Sequence, residues 1–401
     1  MINKFLYPNG GSETYIFSLG KALYEAGHEV QYFGMDHEGR CVGNEVNAYT
    51  SDMEFHSGSA FSKLTYPIKT IYSTEARKKI RLVLENFKPD VCHLNNFNYQ
   101  LTPSIILEIR KWEKDSGHKV NIIYTAHDYQ LICPNHMLYN PVHHTLCEKC
   151  VMNGFESCFK DRCIHSSSAR SLVGMLEGSY WKKRKIYREI DTVVCPSEFM
   201  KKELDRSDEL RGRTIVLHNF LDLKSLSFDS ASLQNSYVLY FGRLSQEKGI
   251  ATLLSACKEL PQIPFIFAGT GPLDVAVKEI PNVRYIGFQT GEALYRLIHQ
   301  ARFTVYPSEW YENCPYSVME SQMLGTPVLA SKIGGIPELV QEGVSGELFT
   351  AGDIDDLKSH LTSMWNDGVK ISRYRIGCSK VKFDTAEQYC NKIIEIYQIK
   401  S

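Results

Sequence analysis

The chain reads as an α/β protein built of two Rossmann-like, doubly wound domains facing a cleft. Three observations predict this. Its 401 residues suffice for two domains of ordinary size. Short apolar runs alternate with helical patterns, the grammar of a mostly parallel sheet covered on both faces. Both halves show that grammar, and a Ser-rich, weakly patterned stretch at residues 225–236 separates them.

In the first half, a strand ahead of Pro8 and a helix over residues 12–26 open the fold. Tyr15, Leu19, Ala22 and Ala26 share one face of that helix. Strands are expected at residues 28–33, 91–94, 121–126 and 192–195. In the second half they are expected at 237–241, 264–268, 283–286, 303–306 and 327–330, with helices between. A helix over 385–400 presents Tyr389, Ile393 and Tyr397 on one side. These elements divide the chain into a domain over 1–220, interrupted by a Cys-rich insertion at about 133–165, and a domain over 221–380. Residues 381–401 then form a helix packing back on the first domain.

Bulk chemistry narrows the function. Hydrophobic residues make up 43% and charged residues 23%, a globular and not a disordered balance. The formal charge of −1 gives no global attraction to nucleic acid, so none is expected as a partner. No apolar run reaches the ~20 residues of a membrane span, and Gly10-Gly11 interrupts the start before a secretory core forms. A cytoplasmic protein is expected.

In open α/β sheets ligands sit beyond the carboxyl ends of strands, so the strand ends are where chemistry is sought. Gly10 and Gly11 precede a helix, where close backbone approach and unpaired N–H groups suit an anion. The alternative is a plain turn. His127-Asp128 follows a strand and can hydrogen-bond a hydroxyl or a phosphate, or merely cap a loop. Arg243 and Lys248 bracket a turn between Gly242 and Gly249, and two cations at a helix start suit a diphosphate. Glu312 and Glu320 are eight apart, one in a loop and one in the following helix. Such carboxylates are pure acceptors for ligand hydroxyls. The N–H groups between them, from Asn313, Cys314, Tyr316 and Ser317, can meet phosphate oxygens, whereas Pro315 offers none.

Taken in order, Gly10 to Glu13, Gly242 to Gly249, Ala268 to Pro272, the Glu312/Glu320 pair, Gly325 to Val328 and Gly334 to Glu338 strongly resemble the family-4 retaining glycosyltransferases of the GT-B fold. The resemblance spans nearly the whole chain. It implies transfer of a sugar from a nucleoside-diphosphate sugar to a glycan or lipid-linked acceptor, with no metal or cofactor required for catalysis. It makes the first domain acceptor-binding and the second nucleotide-sugar-binding. It implies catalytic roles for His127, Arg243, Lys248 and Glu312: the cations on the diphosphate, Glu312 on sugar hydroxyls, His127 at the donor sugar. It also implies ribose contact by Glu320, diphosphate contact near Gly11, a phosphate turn near Gly269, and a base platform at Gly287-Phe288-Gln289. Cys314-Pro315 departs from the usual aromatic-glycine pair. Trp310 to Pro315 and His127 to Pro134 look like a subgroup of capsular and exopolysaccharide assembly. A GT-B-like epimerase or phosphorylase, or a noncatalytic nucleotide-sugar-binding subunit, are the rival readings.

Two features lie outside that pattern. Cys147, Cys150, Cys158 and Cys163 have a spacing that suits one structural zinc, or else they are four reduced thiols or form an adventitious disulfide in vitro. Tyr180-Trp181-Lys182-Lys183-Arg184-Lys185-Ile186-Tyr187-Arg188 packs basic residues beside aromatics. It suits either a solvated helix face or peripheral docking on the inner face of a membrane, with Trp and Tyr at the interface.

Overall fold

The computed structural model describes residues 1–52, 69–223 and 236–399. The expected linker lies outside them, apart from Ser236. The chain divides into two compact units: Met1–Val142, Cys147–His218 and Ala386–Ser401 form the first, His143–Leu146 and Asn219–Thr385 the second.

The first unit carries a parallel sheet of β1 (Val91–Leu94), β2 (Asn121–Thr125), β3 (Thr192–Cys195) and β4 (Thr214–Val216), in that order. Most of their apolar residues are buried, as strands covered on both faces require, with Val91, Ile215 and Val216 half-buried. The expected strands before Pro8 and at 28–33 are reduced to isolated bridges. Ile2 pairs with both Phe33 and Leu94, and Met35 pairs with Thr50. These segments still extend the sheet: Ile2 N donates to His93 O at 2.8 Å and Phe33 N to Met1 O at 2.9 Å. They fall short of full strands because residues 28–31 make no ladder, His28 and Glu29 being exposed and Val30 and Gln31 half-buried. β4 was not expected; three residues after Arg211-Gly212-Arg213 give too short an apolar run to stand out.

Helix α1 (Gly11–Glu25) buries Tyr15, Ile16, Leu19, Ala22 and Leu23; of the face foreseen from spacing, Ala26 alone falls outside it, one residue past the helix and exposed. Helices α2 (Thr74–Phe87), α3 (Ser104–Ser116), α4 (Ser168–Arg184) and α5 (Glu198–Leu204) follow. Ser73, Ser167 and Ser197 cap α2, α4 and α5 through their side chains.

The second unit carries six parallel strands: β5 (Val238–Phe241), β6 (Phe265–Ala268), β7 (Val283–Tyr285), β8 (Phe303–Tyr306), β9 (Val328–Ser331) and β10 (Gly346–Phe349). Their spatial order is β10-β9-β8-β5-β6-β7. The winding therefore reverses between β5 and β8, the switch point beyond which ligands bind in such sheets. β10 was not expected, because it opens on a glycine. The neighbouring strand explains that glycine: a Cβ on Gly346 would lie 2.0 Å from Val328 O. Helices α6 (Ile250–Glu259), α7 (Gly291–Gln300), α8 (Tyr316–Met323), α9 (Ile354–Asn366) and α10 (Gly368–Cys378) complete the unit.

Helix α11 (Ala386–Gln398) belongs to the first unit. Its Tyr389 hydroxyl meets the Tyr15 hydroxyl at 2.8 Å, which meets Thr125 Oγ1 at 3.0 Å. Thr125 Oγ1 also meets His93 Nε2 at 2.7 Å, and His93 Nδ1 meets the Tyr397 hydroxyl at 2.6 Å. This buried chain of polar groups ties α11 to the carboxyl end of the sheet. Among the described residues no helix is long and apolar enough to cross a membrane.

Candidate active site

At the switch point the turn after β5 and the loop after β8 bring three of the expected residues together. Gly242 takes φ +142°, and Gly249 takes φ +70° where a Cβ would lie 1.7 Å from Pro307 O. The two loops therefore touch backbone to backbone, and Lys248, just before Gly249, points into the β8 loop. Its Nζ donates to Glu312 Oε1 at 2.6 Å and to the Tyr306 hydroxyl at 3.1 Å. It also lies over the Trp310 ring, 5.2 Å from the centroid.

Glu312 is 6% exposed. Besides Lys248, Ser308 Oγ at 2.7 Å and Trp310 Nε1 at 2.5 Å donate to the same Oε1. Burial works against its charge, but the Lys248 ammonium and these donors outweigh burial and hold the carboxyl below its usual range. Three donors on one oxygen also fix the side chain's rotamer, so the second oxygen has a defined direction.

Arg243 is mostly exposed and pairs with Glu247 four residues on. Glu247 also accepts from Ser245 Oγ at 2.7 Å, and the Tyr240 hydroxyl donates to Arg243 O at 2.7 Å, which pins the turn. Gly269 ends β6 against this turn. It has φ +153°, and a Cβ there would lie 1.9 Å from Gly242 O.

Cys314 and Pro315 lead into α8. Cys314 is buried, its Sγ 3.7 Å from Met319 Sδ, and its carbonyl accepts from Asn219 Nδ2 at 3.1 Å. Asn313, Tyr316 and Ser317 flank it, with Tyr316 the first residue of α8. Glu320, one turn further on, makes no ion pair among the described residues, and burial pushes its carboxyl up to about 7. Phe288 is 71% exposed, a flat ring offered to solvent beside Gly287 at φ +71°.

Gly10, Gly11 and His127 lie in the first unit. α1 opens at Gly11 with Gly10 extended and no side chain capping it. Glu13 is buried behind that end, accepting from Asn3 Nδ2 and Ser12 Oγ at 2.9 Å each. His127 Nε2 donates to Asn95 Oδ1 at 2.8 Å, and the Tyr15 ring meets it edge-on at 4.9 Å. Part of His127 stays exposed, yet burial holds its pKa at about 3, so the ring is neutral across the physiological range.

Sequence reasoning missed Ser308, Tyr306 and Glu247, and gave Trp310 no role. No periodicity marks them; only their meeting at one carboxylate or one turn does.

The zinc reading finds no support in the geometry. Cys150, Cys158 and Cys163 pack together with Phe155 and Ile164. Among the described residues no group of three or more His, Cys, Asp and Glu side chains is arranged to hold a metal ion. Burial and the neighbouring cysteines push the Cys150 thiol up. None of the four forms a disulfide. Trp181 at a membrane interface is also corrected: the indole is fully buried, donating to Ile71 O at 2.9 Å, and Tyr187 is buried too.

The model of Glycosyltransferase Family 4 matches residues 9–225, and that of Glycosyl transferases group 1 matches residues 226–378. An uncharacterized 42.6 kDa protein in the cps region of Klebsiella pneumoniae is 23% identical over 378 residues, covering 90% of this chain and 91% of that protein. Among solved structures, sucrose-phosphate synthase from Thermosynechococcus elongatus superposes with TM-score 0.69 at 17% identity, covering 99% of this chain and 95% of that one. HepE of Anabaena in complex with UDP gives 0.66 at 17% identity, covering 98% of each. Both likenesses are of fold. With one family model over its first half and another over its second, the chain belongs to the family-4 glycosyltransferases of the GT-B fold.

Proposed function

We propose that this glycosyltransferase moves a sugar, with retention and without an essential metal ion, from a nucleoside-diphosphate sugar to a glycan or lipid-linked acceptor in the assembly of a capsule or exopolysaccharide. The observation that carries the reading is the buried Lys248–Glu312 pair with Arg243 beside it at the sheet's switch point. Two cations there suit a diphosphate and the charge that builds on the leaving nucleotide, work a divalent ion does elsewhere. Lys248 stays bound to Oε1 of Glu312, which leaves the second oxygen to accept from donor-sugar hydroxyls.

Glu320 is assigned to the ribose hydroxyls and Phe288 to the base. The turn at Gly242 and Gly269, and the backbone at Asn313, Cys314, Tyr316 and Ser317, are assigned to phosphate oxygens. In the first unit the amide end of α1 at Gly10-Gly11 is assigned to a phosphate. Neutral His127, with Nε2–H taken by Asn95, is assigned to accept a hydrogen bond from a sugar hydroxyl, not to shuttle a proton. Placement in polysaccharide assembly is supported by the relative in the cps region.

The test is thermal shift against UDP, GDP, ADP, CMP and dTDP, with and without EDTA. One nucleoside diphosphate is expected to raise the melting point equally in both. No shift from any of them would remove the donor site.

Glu320 makes nucleotide affinity depend on pH. Its carboxyl, raised to about 7 by burial, is ionised only above that pH. The ionised form is the better acceptor from ribose hydroxyls, so affinity should strengthen as pH rises through 7, by up to ~10-fold per pH unit below it. Titration calorimetry of wild type against Glu320→Gln isolates this, because the ligand's own titration cancels. A variant with the same slope as wild type would exclude Glu320 as the ribose acceptor.

A further inference from the structure

One surface of the first unit is not used by the transfer chemistry. Helix α4 turns Ser171, Gly174, Glu177 and Trp181 inward. The opposite side exposes Leu172, at 39%, and Leu176, at 47%. Lys183 continues that side, eleven residues after Leu172 and seven after Leu176. Beside it the short helix Glu156–Lys160 packs against α4, where a Cβ on Gly178 would meet the Phe155 ring at 2.9 Å. That helix exposes Phe159, and the preceding one, Lys149–Asn153, exposes Met152.

Where the two leucines of α4 end, the charge begins. Lys182, Lys183, Arg184, Lys185 and Arg188 are all exposed, and none makes an ion pair among the described residues. Of the carboxylates nearby, Glu189 pairs with Arg110, while Glu209 accepts from the Tyr187 amide and faces Arg188, Lys182 and Lys185, offsetting part of their charge. In a chain of net charge −1, five cations against that one carboxylate are a local positive excess. Lys185 closes α4 in the left-handed conformation, and the turn Ile186–Glu189 then buries Ile186 and Tyr187. The backbone therefore anchors the cluster instead of letting it fray.

We propose that this face docks on an anionic lipid surface. A partner that takes it must offer negative charge and, immediately behind that charge, an apolar interior. A bilayer with acidic headgroups does both: the lysines and arginines meet headgroup phosphates while Leu172 and Leu176 enter the headgroup–acyl boundary. A soluble polyanion satisfies the cations and leaves the leucines in water. The buried Trp181 is the internal anchor of the helix, not its membrane contact. This docking is independent of the donor chemistry assigned above.

The experiment is co-sedimentation of the full chain with vesicles of equal parts phosphatidylglycerol and phosphatidylcholine, against pure phosphatidylcholine. Binding is expected only to the anionic vesicles, weakening with salt. Lys182→Gln/Lys183→Gln/Lys185→Gln should lower the partition coefficient ~10²-fold, at about fivefold per cation near the surface. Leu172→Ser/Leu176→Ser should lower it ~10-fold, with circular dichroism and the nucleotide-induced melting shift of both variants unchanged. Equal binding to the two vesicle types, or none to the anionic one, overturns the proposal. So does a serine variant that binds like wild type while heparin displaces both, since the face would then be a general polyanion contact.

Discussion

Lys248→Ala is expected to lower sugar transfer by ~10²–10³-fold, the usual consequence of removing one preorganised charge from a developing anion. It should also destabilise the second unit by about 3–5 kcal/mol, because it strands a carboxylate that is 6% exposed. The pH dependence identifies the cause. In the wild type the folded Glu312 carboxyl lies below its unfolded value, so its contribution to stability is present above the unfolded pKa and is lost as pH falls through the folded one. Without Lys248, burial acts with less opposition and moves the carboxyl upward. The variant therefore loses stability as pH rises, and the gap in melting temperature to wild type should be widest near neutrality and narrow toward about pH 5. Lys248→Met/Glu312→Gln should recover most of the stability and none of the activity. Transfer by Lys248→Ala within threefold of wild type would remove Lys248 from the donor site.

The second large effect is expected at a glycine. Gly334 has φ +58°, and a Cβ there would lie 2.3 Å from Glu312 O and 2.7 Å from Glu312 N. Its neighbour Gly335 donates to that same carbonyl at 2.7 Å. Gly334→Ala must push the Glu312 loop away or give up the turn, with a loss of about 2–4 kcal/mol from left-handed strain and steric overlap together. Transfer should fall by ~10²-fold, since displacing reacting groups by about an ångström has that cost. Gly343→Ala is the control: φ is +77° but no atom lies within 4 Å of its Cβ, so only the conformational strain should appear and transfer should persist. Comparable loss of transfer in both variants would mean that Gly334 acts through stability alone.

These effects also mark what could and could not be read from the chain. The full strand count was beyond apolar patterning: β10 hides behind its initial glycine, and the segments around Ile2 and Phe33 form bridges where full strands were expected. The interior strands β5, β6 and β8 were legible because they are apolar runs bounded by turn residues. At the site, Arg243, Lys248 and Glu312 were found by charge at strand ends. Their mutual arrangement was not. A lysine and a glutamate 64 residues apart become an ion pair only through the β5-to-β8 adjacency, and Ser308 and Trp310 are selected by the loop's path. For the cysteines the spacing admitted more than one chemistry, and only the fold brings Cys150, Cys158 and Cys163 together with Phe155 and Ile164.

The return of α11 to the first unit sets a limit on dissecting the protein. A fragment ending at His218 would lack Tyr389 and Tyr397, and so would leave Tyr15, Thr125 and His93 at the edge of an open wall. One cut cannot separate the two halves into self-sufficient pieces, because the polypeptide leaves the first unit after His218 and returns to it at Ala386. The first half must be reconstituted in trans from residues 1–218 and a peptide bearing α11, or made as a fusion that splices the two directly. That peptide becomes a reporter: its capture measures, apart from any chemistry, whether the first half has folded.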